Sequence, residues 1–123
     1  MKVMTIGIKS ETDAMHEFER AFEAAHKRTP FKSVSGAYFT SLEAVRNFLT
    51  PKRLALIHII KEKSPKSIYS LAKLAGRSFP SVLKDVNVLS KHGLVTLTKE
   101  KESLRHAVHP SVNYSAINLW IGL

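Results

Sequence analysis

The stretch SIYSLAKLAGRSFPSVLKDVNVLSKHGLV, Ser67 to Val95, constrains the fold more than any other part of this chain. Its pattern predicts two short helices joined by a tight turn and followed at once by a strand. Ala72 permits close helix approach, and Gly76 can take the left-handed conformation that a sharp turn needs. Arg77 and Ser78 lead into the second helix, which closes on Lys91, His92 and Gly93, a cationic last turn and a glycine stop. Ile68, Leu71, Leu74 and Ala75 form the expected inner face of the first helix, and Phe79, Val82, Val86 and Leu89 that of the second. At ~100° per residue, Arg77, Pro80, Ser81, Lys84, Asn87, Val88 and Lys91 lie around the opposite side, with Leu83 at the flank.

Leu94 to Thr98 is rich in β-formers, and Leu104 to Val108 can return antiparallel to it around a loop of Lys99, Glu100, Lys101, Glu102 and Ser103. Two helices about a tight turn with a hairpin behind them have the layout of a winged helix-turn-helix, whose second helix enters the major groove of DNA. The charge distribution agrees with such a partner. The chain carries 19 Lys and Arg against 10 Asp and Glu, a net charge of +9, which favours nucleic acid or an anionic surface. Between Pro51 and Arg105 there are twelve basic residues and four acids, so nearly the whole surplus belongs to this segment.

The segments on either side read as additions to that unit. Val3 to Ile8 alternates around Met4, Ile6 and Ile8 as a half-buried strand would. Ser10 and Asp13 approximate a capping box for a helix that buries Met15, Phe18, Phe22 and Ala25 and turns Glu17, Glu19, Arg20 and Glu23 outward. Half of all the acids, Glu11, Asp13, Glu17, Glu19 and Glu23, sit there. Such a face suits a second subunit or another protein better than DNA, although a plain solvated face is the commoner outcome. Arg28 to Gly36 has the composition of a connector, and Ala37 to Phe39 is a short expected strand. Ser41 caps a helix through Leu42, Val45 and Leu49, and Thr50 with Pro51 starts the next, Lys52 to about Lys63. Its apolar residues Leu54, Leu56, Ile57, Ile59 and Ile60 occupy more than one face, so it is covered on two sides. In the closing segment Ile117, Leu119, Ile121 and Leu123 alternate with Ala116, Asn118, Trp120 and Gly122. A strand so placed needs a partner, and the N-terminal strand is the expected one, within the chain or across a dimer.

The expected fold class is therefore α+β, mainly α: a winged helix-turn-helix over residues 37–113, preceded by a strand, acidic helix and connector over 1–36 and followed by a strand over 114–123. The expected DNA contacts are Arg77, Ser78, Ser81, Lys84, Asn87 and Lys91 on the second helix and Lys99, Lys101 and Arg105 on the wing. Arg77, Ser81 and Lys84 can serve bases or phosphates, Asn87 can pair two ways with an adenine edge, and the wing cations suit phosphate or the minor groove. For every one of them solvation is the alternative, most of all at the hairpin tip, where Glu100 and Glu102 stand between the cations. With no cysteine there is no disulfide, zinc-finger spacing or cysteine nucleophile. His106 and His109 are three apart, which on a strand puts them on opposite faces, the other four histidines show no ligand spacing, and neither a phosphate loop nor a paired-carboxylate or Ser-His-Asp set is visible. No enzyme, cofactor or metal is expected. The apolar run Leu54 to Ile60 is far shorter than the ~20 residues of a membrane span, and the start of the chain lacks a signal sequence, so the expected location is the cytoplasm.

TIGI at Thr5 to Ile8, YFTSLEAV at Tyr38 to Val45, SIYSLAKLAGR at Ser67 to Arg77, LSKHGLV at Leu89 to Val95 and the closing NYSAINLWIGL together resemble the MarR-like winged helix-turn-helix regulators of prokaryotes. More narrowly they resemble a small family taken to be DNA-binding proteins, some of them encoded beside toxin genes and taken to be antitoxins. The resemblance implies a homodimeric repressor of transcription, in its narrower form an autoregulating antitoxin with a cognate toxin as second partner. One departure stands out: where the narrower family tends to polar or basic residues early in the DNA-reading helix, this chain has Phe79, Pro80 and Leu83. A second reading stays open, a protein-interaction module whose acidic helix and terminal strands bind and neutralise a partner protein.

Overall fold

A computed structural model of the chain describes residues 2–8, 34–99 and 108–123. These form a mixed α/β structure with four helices and five strands among the described residues. The chain packs as two compact units, Met1–Phe48 with Tyr114–Leu123, and Leu49–Asn113. The first unit thus takes in the segment from Ala37 to Phe48, which the sequence reading groups with the two-helix motif.

In the first unit β1 (Val3–Ile8) lies at the centre of a three-stranded sheet, between β2 (Val34–Phe39) and β5 (Ala116–Ile121). Both pairings are parallel, Val3 to Ile8 running beside Val34 to Phe39 on one side and beside Ala116 to Ile121 on the other. Parallel neighbours need a crossover of a dozen or more residues, and residues 9–33 supply that length between β1 and β2. The expected terminal pairing is therefore made within the chain. Two bonds outside the ladder lengthen it: Ser115 N–H donates to the Lys2 carbonyl at 2.8 Å and Gly122 N–H to the Ile8 carbonyl at 3.0 Å.

The alternation of β1 places Met4, Ile6 and Ile8 on one face, and all three are buried. Ile117, Leu119 and Ile121 stand beside them in register, but Leu119 and Ile121 are half exposed, because β5 forms an edge of the described sheet. Strand β2 starts at Val34 and not at Ala37. The serine and glycine that look like a connector, Ser35 and Gly36, are accepted here because register, not propensity, decides pairing beside a buried strand. Helix α1 (Leu42–Phe48) is capped by Ser41, whose Oγ accepts from the Ala44 N–H at 3.0 Å. It ends at Phe48, short of the expected Leu49, and buries Val45 and Phe48 while Leu42 is exposed. Phe48 packs on Phe39 with ring centroids 5.2 Å apart. The acidic helix expected around Met15 to Ala25 lies outside the described residues.

The second unit starts with α2 (Pro51–Lys63). Thr50 Oγ1 accepts from the Arg53 N–H at 3.2 Å, and Pro51 occupies the first turn, where no N–H is required. The helix stops at Ser64, which takes a left-handed conformation and returns its N–H to the Ile60 carbonyl. Leu56, Ile57 and Ile60 are buried, and α2 packs against α3 (Ile68–Ala75), α4 (Phe79–Lys91) and β4 (Val108–Ser111). Leu56, Leu71, Val82, Val86 and Leu89 are wholly or almost wholly inaccessible, each stabilising the unit by about 1.5–3 kcal/mol relative to an exposed side chain.

Strand β3 (Thr96–Lys99) pairs antiparallel with β4, Thr96 opposite Ser111 and Lys99 opposite Val108. Leu94 and Val95 stand before the ladder, buried, with their N–H groups directed to the Leu89 carbonyl. The expected strand over Leu94 to Thr98 is thus displaced toward the C-terminus. Its expected partner over Leu104 to Val108 is met at Val108 alone, residues 100–107 lying outside the described residues. Pro110 sits in β4 without breaking the ribbon, because in a two-stranded ladder each strand has one side on which no donor is needed.

Candidate functional site

The outward side of α4 is set by the turn before it. Ser67 caps α3 by accepting from the Ser70 N–H at 3.0 Å, and Gly76 ends that helix with φ 65° and ψ 34°. Gly76 N–H reaches the Lys73 carbonyl and Arg77 N–H the Ala72 carbonyl, a closure that needs the left-handed residue glycine tolerates best. Ala72 is buried at the place where the turn folds back. Ser78 then caps α4. Its Oγ accepts from the Ser81 N–H at 3.4 Å and donates to Ser81 Oγ at 2.9 Å, which leaves the Ser81 hydroxyl hydrogen to point elsewhere.

One carboxylate holds this arrangement together. Asp85 on α4 accepts from Arg77 Nη2 in the turn at 2.8 Å and from Arg53 Nε on α2 at 3.1 Å. The three side chains are 13%, 23% and 14% exposed, in that order, so this is a mostly buried triad and not a solvated surface pair. A second Arg77 nitrogen, Nη1, is buried and has no hydrogen-bond partner among the described residues. Asp85 is the only acid between Lys63 and Lys99, a signal visible in the sequence. Neither it nor Arg53 is among the residues that pattern reading selects, because the triad spans two helices and a turn.

The expected contact residues separate accordingly. Ser78, Ser81, Lys84, Asn87 and Lys91 are all exposed, and Lys84, Asn87 and Lys91 recur at the three- and four-residue steps of one helix face. Arg77 does not share that face as a free side chain, being held by Asp85. Lys99 is exposed on β3, while Lys101 and Arg105 lie outside the described residues. With Asp85 paired to two guanidinium groups, the solvent-facing stripe of α4 carries no uncompensated negative charge.

Two side chains expected in the core are outside it. Phe79 is 42% exposed and Leu74 51%, whereas Val82, Val86 and Leu89 are fully covered. Phe79 occupies the first turn of α4, beyond the reach of the layer that covers the later turns. On α3 Tyr69 is exposed too, with Lys73 Nζ 4.8 Å from its ring centroid. Among the described residues no group of three His, Cys, Asp or Glu side chains could hold a metal ion, and no helix is long and apolar enough to cross a membrane.

Fold and site together define a small mixed α/β protein in which a capped turn and a buried ion triad present a basic helix face. The chain belongs to the HVO_A0114 family, whose model matches residues 48–119. That match begins next to the boundary between the two units and takes in the whole of the second. No curated protein and no solved structure matches the chain.

Proposed function

We propose that this protein is a sequence-specific duplex-DNA-binding regulator of transcription, a repressor acting as a homodimer through a MarR-like winged helix-turn-helix. In this reading α3 and α4 are the two helices of the motif, α4 is the recognition helix and β3 with β4 the wing. The observation that carries it is the exposed stripe of Ser81, Lys84, Asn87 and Lys91 on a helix fixed by a tight turn and a buried ion triad. A rigidly held helix with cations and an amide on its free side is what base-edge and phosphate contacts require. The surplus of eight positive charges between Pro51 and Arg105 supplies the long-range attraction. The dimer is supported by Leu119 and Ile121 of β5 and by Leu123 beyond it, exposed uncharged apolar side chains that a second copy would cover.

Titration of the full chain with duplex DNA from upstream of its own gene, at several salt concentrations, tests this. A dimer that neutralises about six to ten phosphates should lose ~10³- to 10⁵-fold in affinity between 50 and 200 mM salt. It should also protect two half-sites about one helical turn apart. Absence of duplex binding, or binding indifferent to salt, refutes the proposal.

A further inference from the structure

The first turn of α4 offers hydrocarbon where a DNA-reading helix ordinarily offers donors. Pro80 has no N–H, the Ser81 N–H is taken by Ser78 Oγ, and Phe79 is 42% exposed. The rest of the apolar side of α4 is fully covered by the core, so this ring is left over from packing and not part of it. Within two turns of this tip, on the other side of the helix, Ser81 and Lys84 are exposed, and the one carboxylate on α4, Asp85, is paired with Arg53 and Arg77. The surroundings therefore attract a polyanion, while the group at the tip is apolar. Among the groups that base pairs present in the major groove, the C5 methyl of thymine is the apolar one.

We infer that Phe79 is a specificity-determining residue that seats a thymine methyl, so that each half-site holds a thymine under the tip of α4. This rests on the DNA-binding reading above and adds to it the base that is recognised and the contact that recognises it. The polar residues further along the helix address other positions: at ~1.5 Å rise per residue, Asn87 lies about 12 Å beyond Phe79 and meets a different base pair.

The test uses the full chain and duplexes that it enriches from a random-sequence double-stranded library. In an enriched duplex each thymidine is replaced in turn by deoxyuridine, which removes the methyl and leaves every hydrogen-bonding group in place. The wild-type protein should lose about four-fold in affinity at one position per half-site, the worth of one buried methyl group. Phe79→Ala should bind the thymidine and deoxyuridine duplexes equally, and Phe79→Leu should keep part of the difference. A flat deoxyuridine scan with the wild-type protein overturns the inference and leaves the DNA-binding reading intact. So does a methyl effect of unchanged size in Phe79→Ala. A library from which no duplex is enriched removes both, and with them the assignment of Phe79 to DNA.

Discussion

Replacing Asp85 by Ala isolates what the ion triad does. The substitution leaves the Arg53 and Arg77 guanidinium groups close together, 14% and 23% exposed, without the carboxylate that accepted from both. Breaking a fully buried pair from one side costs about 3–5 kcal/mol, and an exposed pair is worth about 0–1 kcal/mol. The burial of this triad lies nearer the first case, so a loss of about 2–3 kcal/mol is expected, lowering the melting temperature by on the order of 10 °C for a chain of this size. Urea unfolding followed by circular dichroism gives the free energy directly. Adding Arg77→Met to Asp85→Ala removes the Arg77 charge that the lost carboxylate had held. The double variant should then be less destabilised than the sum of the two single changes, by at least ~1 kcal/mol. A loss below ~0.5 kcal/mol for Asp85→Ala, or strict additivity in the cycle, would show the triad to be a solvated surface contact and would remove it as the device that fixes α4.

Three further outcomes are expected. Lys84→Ala should leave the unfolding free energy within ~0.5 kcal/mol of wild type and reduce the slope of log affinity against log salt by about one, and an unchanged slope excludes Lys84 from phosphate contact. Gly76→Ala meets no atom within 4 Å of the added carbon, so its loss, ~1–2 kcal/mol by thermal unfolding, comes from the left-handed backbone alone, and a neutral result would contradict the turn geometry. Ile121→Lys, at a half-exposed position on the β5 edge, should convert the expected dimer to a monomer in sedimentation equilibrium, and persistence of the dimer places its interface elsewhere.

The local features were the legible ones. Thr50 with Pro51, Ser67, Gly76 and Ser78 announce their helix ends because a cap is written in one or two neighbouring residues. Phe79 and Leu74 read as core because helical periodicity gives a direction but not how far the covering layer extends along the axis. Val34 and Ser35 read as connector because strand pairing is imposed by the neighbouring β1, while Leu94 and Val95 read as strand although they are buried ahead of the ribbon. At the site, the stripe through Ser81, Lys84, Asn87 and Lys91 was visible from spacing. The engagement of Arg77 was not, since its partner Asp85 is met only after the turn has folded and Arg53 has come in from α2. The acidic helix expected around Met15 to Ala25 and the wing cations Lys101 and Arg105 fall outside the described residues.

The central place of β1 also sets an order of assembly. Val3 to Ile8 is made before both of the strands beside it, and one of these, Ala116 to Ile121, follows only after the whole second unit. Until that neighbour arrives, Met4, Ile6 and Ile8 sit on a strand with one side of its backbone unpaired. The helices of the second unit, whose partners are close in sequence, have no such wait and can form while the nascent chain is still growing. Between those two events the chain carries an apolar strand in search of its last neighbour, the state most open to chaperones and to pairing with another copy.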